Sequence, residues 1–171
     1  MRGPDRDRVA RIDTCVECSS RALLAVQQDG IHWTAQPIKA FTKTYDLARL
    51  MTERPDPWDH AVVAATDGQV VGFASSVYRA WNRRADIRHV FVDQAFRRRG
   101  AARAMLAALE AWAIATDARQ LWLETQDTNC TAIAAYERLG FSIVGFDRSL
   151  YENPPAVETG VFLGRPCTRR A

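Results

Sequence analysis

Residues 87–115 constrain the fold of this chain most. Ile87, Val90, Phe91 and Val92 give the β-branched and aromatic content of a strand over 87–92. A helical pattern begins at Ala101: Ala101, Met105, Ala108, Leu109, Trp112 and Ala115 recur at spacings of three and four, which predicts a helix with one buried face over 101–115. Between the two lies Asp93-Gln94-Ala95-Phe96-Arg97-Arg98-Arg99-Gly100-Ala101-Ala102. A strand that feeds a helix through such a turn presents unpaired N–H groups and the positive end of the helix dipole, which together form an anion site. Gly100 and Ala102 let a ligand approach the backbone, and Arg97, Arg98, Arg99 and Arg103 add positive potential. Phosphates are the first candidate ligands. Taken alone, the turn fits a solvated basic loop equally well, because short motifs also match by chance.

The remaining elements follow from periodicity and turn chemistry. Strands over 20–28 and 31–38 flank Asp29-Gly30, and strands over 61–65 and 70–78 flank Asp67-Gly68, both favoured hairpin turns. A short helix over 44–51 is stopped by Arg54-Pro55-Asp56-Pro57. A strand over 121–124 precedes a helix over 132–139, which Gly140 ends. Two last strands, 143–151 and 157–163, are split by Asn153-Pro154-Pro155. This order predicts an α/β (α+β) fold: a mixed, mostly antiparallel sheet, helices on both faces, and a βαβ core around the basic turn. The 171 residues suit a single domain over 1–171, with the charge-alternating residues 1–12 a flexible lead-in.

Charge and composition exclude several classes. The net charge is only +3, and no nucleic-acid motif accompanies the arginines, so a nucleic-acid partner is not expected. No run approaches the roughly 20 apolar residues that cross a bilayer, and the first residues lack the apolar core of a signal peptide. The expectation is a cytoplasmic protein with no membrane partner. Cys15, Cys18, Cys130 and Cys167 then read as reduced thiols. Cys15-x-x-Cys18 has no second pair, and His32, His60 and His89 lack ligand spacing to it, so no metal is expected.

Arg97-x-x-Gly100-x-Ala102 matches the signature Arg/Gln-x-x-Gly-x-Gly/Ala, and Asn129-x-x-Ala132-x-x-x-Tyr136-x-x-x-Gly140-Phe141 matches a second element at the expected distance. On these two motifs the chain resembles the GNAT superfamily of N-acetyltransferases. Trp81-Asn82, Leu123-Glu124-Thr125-Gln126 and Gly145-Phe146-Asp147 are similar to its streptothricin acetyltransferase-like branch. The resemblance implies acetyl-CoA as co-substrate. It places the pyrophosphate on Arg97, Arg98, Arg99, Gly100, Ala101, Ala102 and Arg103, and the pantetheine arm on the backbone of Val90, Phe91 and Val92. It also turns Asn129, Ala132 and Tyr136 toward the cofactor, with Tyr136 as the general acid that protonates the leaving thiolate.

Acetyl transfer to an amine also needs the amine neutral. Glu124 is the first choice of base and Asp86 the second. The apolar frame Leu121-Trp122-Leu123 would raise the Glu124 pKa by desolvation. His89 has a convenient intrinsic pKa, yet a lone strand histidine is more often structural. Water-relayed deprotonation stays open. Trp81, Asp86, Arg88 and Glu124 are the candidate acceptor residues. Trp81 reads either as an aromatic wall or as sheet-edge packing. Arg88 stands where the branch carries Glu, and would repel a polycation but suit an acceptor bearing a carboxylate or phosphate. Cys130 reads as a helix-start residue. Three functions are compatible with these residues: direct acetyl transfer in a ternary complex to the primary amine of a small molecule, a streptothricin-like antibiotic included; protein N-terminal or lysine acetylation; and non-catalytic acyl-CoA sensing. A monomer and a homodimer both fit.

Overall fold

The computed structural model describes residues 3–151 and 158–168. Among these residues, four α-helices and eight strands follow in the order α1 (Gly3–Val9), β1 (Val16–Gln27), β2 (Gly30–Lys43), α2 (Leu47–Thr52), β3 (His60–Thr66), β4 (Gln69–Arg79), β5 (Arg84–Val92), α3 (Ala101–Ala115), β6 (Gln120–Gln126), α4 (Cys130–Arg138), β7 (Ser142–Tyr151) and β8 (Glu158–Pro166). β1 and β2 pair as a two-stranded sheet, and six strands form a second sheet in the order β3-β4-β5-β6-β8-β7. β3 with β4, β4 with β5 and β7 with β8 are antiparallel. The mixed, mostly antiparallel α/β architecture expected from the element order is the one found. The break at Asn153-Pro154-Pro155 lies outside the described residues.

The chain divides into two compact units, Met1–Val16 with Lys43–Leu121 and Pro166–Ala171, and Glu17–Thr42 with Trp122–Arg165. In the first, Asp67 and Gly68 take φ of 48° and 75°, the left-handed pair that an Asp-Gly hairpin turn requires, and Thr66 faces Gln69 across it. β4 is buried on both faces, because successive strand residues point to opposite sides. Phe73, fully buried, joins Val9, Ile12, Leu47, Met51, Trp58 and Val70 in one apolar cluster. Each such side chain contributes roughly 1.5–3 kcal/mol by leaving water. Gly72 lies under α3, where an added Cβ would stand 2.9 Å from Met105 Cε and 3.1 Å from the Phe91 carbonyl oxygen.

Two expectations need correction here. Residues 3–9 are helical rather than a flexible lead-in, because Val9 and Ile12 are buried and Arg6 reaches from α1 to the Met51 carbonyl and the Asp56 carboxylate. Two apolar residues in a run of charges are too brief a pattern to reveal that packing. α3 has the predicted ends, but its buried positions are Met105, Leu106, Leu109 and Ala113, while Ala108 and Ala115 are exposed. Alanine at every turn left the stripe's rotation ambiguous.

In the second unit, Asp127 ties three chain segments. Its carbonyl accepts the Ala22 N–H at 2.8 Å, and its own N–H donates to the Thr159 carbonyl at 2.9 Å. Its carboxylate accepts the Thr159 N–H at 3.1 Å and pairs with Arg21 at 3.1 Å. Burial pushes the Asp127 carboxyl up from its ordinary pKa, against the lowering effect of Thr159 and Arg21.

Candidate functional site

β5 delivers the chain to the basic turn. Its register against β4 pairs Ser75 with His89 and Ser76 with Ile87, so Arg88 is the extra residue of a bulge and is exposed. The register then runs regularly through Val90 opposite Ala74, Phe91 opposite Phe73 and Val92 opposite Gly72. His89 stands among the rings of Phe91 at 6.0 Å, Trp58 at 6.1 Å and Phe73 at 6.1 Å, and its Nδ1 is 2.7 Å from the buried Ser75 hydroxyl. Burial, aided by the Arg88 charge, brings its pKa from 6.5 down to about 4. The imidazole is therefore neutral and weakly basic at pH 7, which suits a structural residue.

This sets a sign for acid stability. Between pH 6.5 and about 4 the unfolded chain holds a proton on His89 that the native chain does not, so stability rises with pH through that window and is lost as pH falls. Denaturant titrations of the native chain are expected to lose stability between pH 7 and 5, and His89→Asn to flatten that slope. Equal slopes would refute the assignment.

Asp93 shapes the turn after β5. Its N–H donates to the Val71 carbonyl at 2.9 Å, and its carboxylate accepts the N–H of Ala95 and the N–H of Asp13, each at 3.0 Å. A 3-10 turn, Gln94–Phe96, follows. The Arg97 Nε then folds back to donate to the Val92 carbonyl at 3.1 Å, and the Arg99 guanidinium lies 5.2 Å from the Phe96 ring. Arg97 thus closes the turn, while Arg98, Arg99 and Arg103 are exposed. Arg98 and Gly100 take φ of 62° and 89°. Gly100 is the N-cap of α3 with no side-chain cap, and the helical ladder begins with Ala104 donating to the Gly100 carbonyl at 3.0 Å. The N–H groups of Ala101, Ala102 and Arg103 precede that ladder and are the orphan donors of a helix start. A Cβ on Gly100 would meet nothing within 4 Å. An uncapped helix start with open space beside it fits a pyrophosphate.

Asp86 is 5% exposed, with its carboxylate held by Arg79 Nε at 3.1 Å and Arg84 Nε at 2.7 Å. Both oxygens of this carboxylate are thus engaged by guanidinium groups. Trp81 is 84% exposed on the 3-10 turn Ala80–Asn82, which removes the sheet-edge packing alternative.

The other candidates lie in the second unit. Asn129 is the N-cap of α4, its side chain accepting the Ala132 N–H at 3.2 Å, and the Cys130 thiol at the helix start donates to the Asp127 carbonyl at 3.6 Å. Ile133 is the fully buried residue of α4. Tyr136, half-buried, meets Phe141 edge-on at 5.8 Å. On β6 the burial alternates, so Leu121, Leu123 and Thr125 take one face while Trp122, Glu124 and Gln126 share the other. Of the expected apolar frame, Leu121 and Leu123 therefore lie on the opposite face, and Trp122 shares the face of Glu124. Its Oε1 accepts the Tyr151 hydroxyl at 2.6 Å and, more weakly, the Gln126 amide at 3.5 Å, while that amide also donates to the Tyr151 oxygen at 2.9 Å. Sequence reasoning missed Tyr151, Gln126 and Asp93. An aspartate opening a turn, able to accept the N–H two positions on at Ala95, offers a weak Asx signal for Asp93; Tyr151, 27 residues from Glu124, carries no local signal.

The family model described as "Acetyltransferase (GNAT) family" matches residues 28–141. A streptothricin acetyltransferase of Streptomyces lavendulae is 35% identical over 107 residues, 62% of this chain and 57% of that protein. The match therefore spans little more than half of that relative's length. The crystal structure of a nourseothricin acetyltransferase superposes with a TM-score of 0.82 at 27% identity, covering 98% of this chain and 96% of the other. A Bacillus anthracis protein solved in complex with acetyl coenzyme A shares the fold, with a TM-score of 0.85 at 24% identity over 97% of this chain and 96% of that one.

Proposed function

Because the chain belongs to the GNAT family of acetyltransferases, we propose that it transfers the acetyl group of acetyl-CoA to a primary amine of a small molecule, directly and within a ternary complex. The observation that carries the reading is the uncapped start of α3: Gly100 in the left-handed region, with the Ala101, Ala102 and Arg103 amides ahead of the helical ladder. These amides would bind the pyrophosphate, and the exposed Arg98, Arg99 and Arg103 would raise the local concentration of an anionic ligand. Acetyl-CoA, when bound, supplies the activated thioester.

The chain's own residues would do the rest. The β5 backbone at Val90, Phe91 and Val92 would orient the pantetheine arm, and the Asn129 cap fixes the start of the helix that carries Ala132 and Tyr136. The Tyr136 phenol would release a proton to the departing sulfur. Glu124 would take a proton from the amine, a role for which Asp86 is less suited with both oxygens paired. Exposed Trp81 and Arg88 would meet the acceptor, and Arg88 would favour one carrying an anionic group besides its amine.

The test is a transfer assay over a library of small amines, streptothricin-like cations and anion-bearing amines included, beside peptides with free N-termini or lysines. Turnover of a small amine supports the proposal. Exclusive acetylation of peptides replaces it with protein acetylation, and CoA binding without transfer replaces it with sensing.

A further inference from the structure

Glu124, Gln126 and Tyr151 form a closed hydrogen-bonded triangle, and nothing in the proposed chemistry so far uses two of its corners. Glu124 and Gln126 are two residues apart on β6 and so share one face. Tyr151 comes from the end of β7. The directions of the bonds follow from donor inventory. The amide nitrogen of Gln126 can only donate, so its 2.9 Å contact makes the Tyr151 oxygen an acceptor there. The phenolic proton then points to Glu124 Oε1, at 2.6 Å, the length of a charge-assisted O–H···O⁻ bond. The arrangement holds the carboxylate in one rotamer.

We propose that Tyr151 is a positioning residue for Glu124: the phenol, oriented by the Gln126 amide, fixes the carboxylate in the orientation at which it meets the amine of the acceptor. The inference rests on the reading of the chain as an amine acetyltransferase with Glu124 at the amine. It adds that acceptor handling depends on a side chain that takes no proton itself and touches neither acetyl-CoA nor the thioester. A glutamate has three rotatable side-chain bonds, and fixing them before the amine arrives removes a cost that would otherwise fall on the reaction step.

Three variants in the full chain test this, each assayed for kcat and KM of both substrates. Tyr151→Phe is expected to lower kcat/KM for the amine about tenfold to a hundredfold, the effect of losing a hydrogen bond to a charged group. The KM for acetyl-CoA should stay within about twofold of native, a split that a general loss of structure would not produce. Gln126→Leu leaves the phenol in place but undirected, and should give a loss of about threefold or more in the same parameter. A proton NMR spectrum of the protein alone supplies a readout independent of turnover: a downfield, exchange-protected phenolic resonance, lost in both Tyr151→Phe and Glu124→Gln.

Full amine kcat/KM in folded Tyr151→Phe would overturn the inference, as would equal losses in the KM of both substrates. If Tyr151→Phe does not fold, native amine kinetics in Gln126→Leu would overturn it. Transfer that is lost in Glu124→Gln but intact in Tyr151→Phe sinks this inference alone. Full turnover in Glu124→Gln removes Glu124 from the amine, and absence of transfer in the native chain removes the underlying function as well.

Discussion

Tyr136→Phe is expected to lower kcat about a hundredfold or more at neutral pH, the contribution of a positioned general acid, and to leave the KM for acetyl-CoA within about twofold. The substitution removes one hydroxyl and keeps the ring. The edge-on contact with Phe141 at 5.8 Å therefore survives, as do the fully buried Ile133 and the Asn129 cap that hold α4. A loss confined to kcat would locate the defect in the reaction step, where the departing thiolate needs a proton. Steady-state rates with acetyl-CoA varied at saturating amine measure both parameters. A native kcat in the folded variant would take Tyr136 out of the mechanism and return it to core packing, the role that a half-buried tyrosine fills most often.

Gly100→Val should act on the other half of the reaction and raise the KM for acetyl-CoA about tenfold or more. At φ of 89° a Cβ at position 100 meets no neighbour within 4 Å, so the expected effect is one of backbone strain. Left-handed backbone costs an ordinary residue roughly 1–2 kcal/mol, and a β-branched one more. The turn relieves that cost by rotating out of the conformation that starts α3, and the Ala101, Ala102 and Arg103 amides turn with it. Since about 1.4 kcal/mol is a factor of ten in affinity, a partial rearrangement is enough. Gly100→Asn should fall between, because asparagine tolerates this region. At saturating acetyl-CoA, kcat should remain within about threefold of native. Calorimetric titration of CoA provides the direct check, and native affinity in Gly100→Val would show that the amides of this turn do not bind the pyrophosphate.

The basic turn was legible because its physics is local. A strand, a glycine and a helix-period pattern suffice to predict an exposed helix start, and α3 has the expected ends at Ala101 and Ala115. The Asp67-Gly68 hairpin was legible for the same reason, since two left-handed residues in succession suit few other pairs. Local patterns failed where the deciding neighbour is distant. The helix at residues 3–9 exists because Val9 and Ile12 enter a cluster with Phe73, and the buried stripe of α3 was rotated because alanine does not mark a face. The arginines also divided in a way that charge counting could not foresee: Arg97 closes its own turn on Val92, and Arg79 and Arg84 spend their charge on Asp86.

Apart from α1, the element order, the phosphate-type turn and the two linked motifs were legible in the chain, because turn conformation, capping and helical period are set by residues within a few positions of one another. Only the tertiary structure decided the state of the ionisable side chains. It made His89 neutral among three aromatic rings, paired both oxygens of Asp86, and set Glu124 against Tyr151 and Gln126. Protonation and orientation depend on burial and on partners within a few ångströms in space, and in a sheet those partners come from strands far apart in the chain.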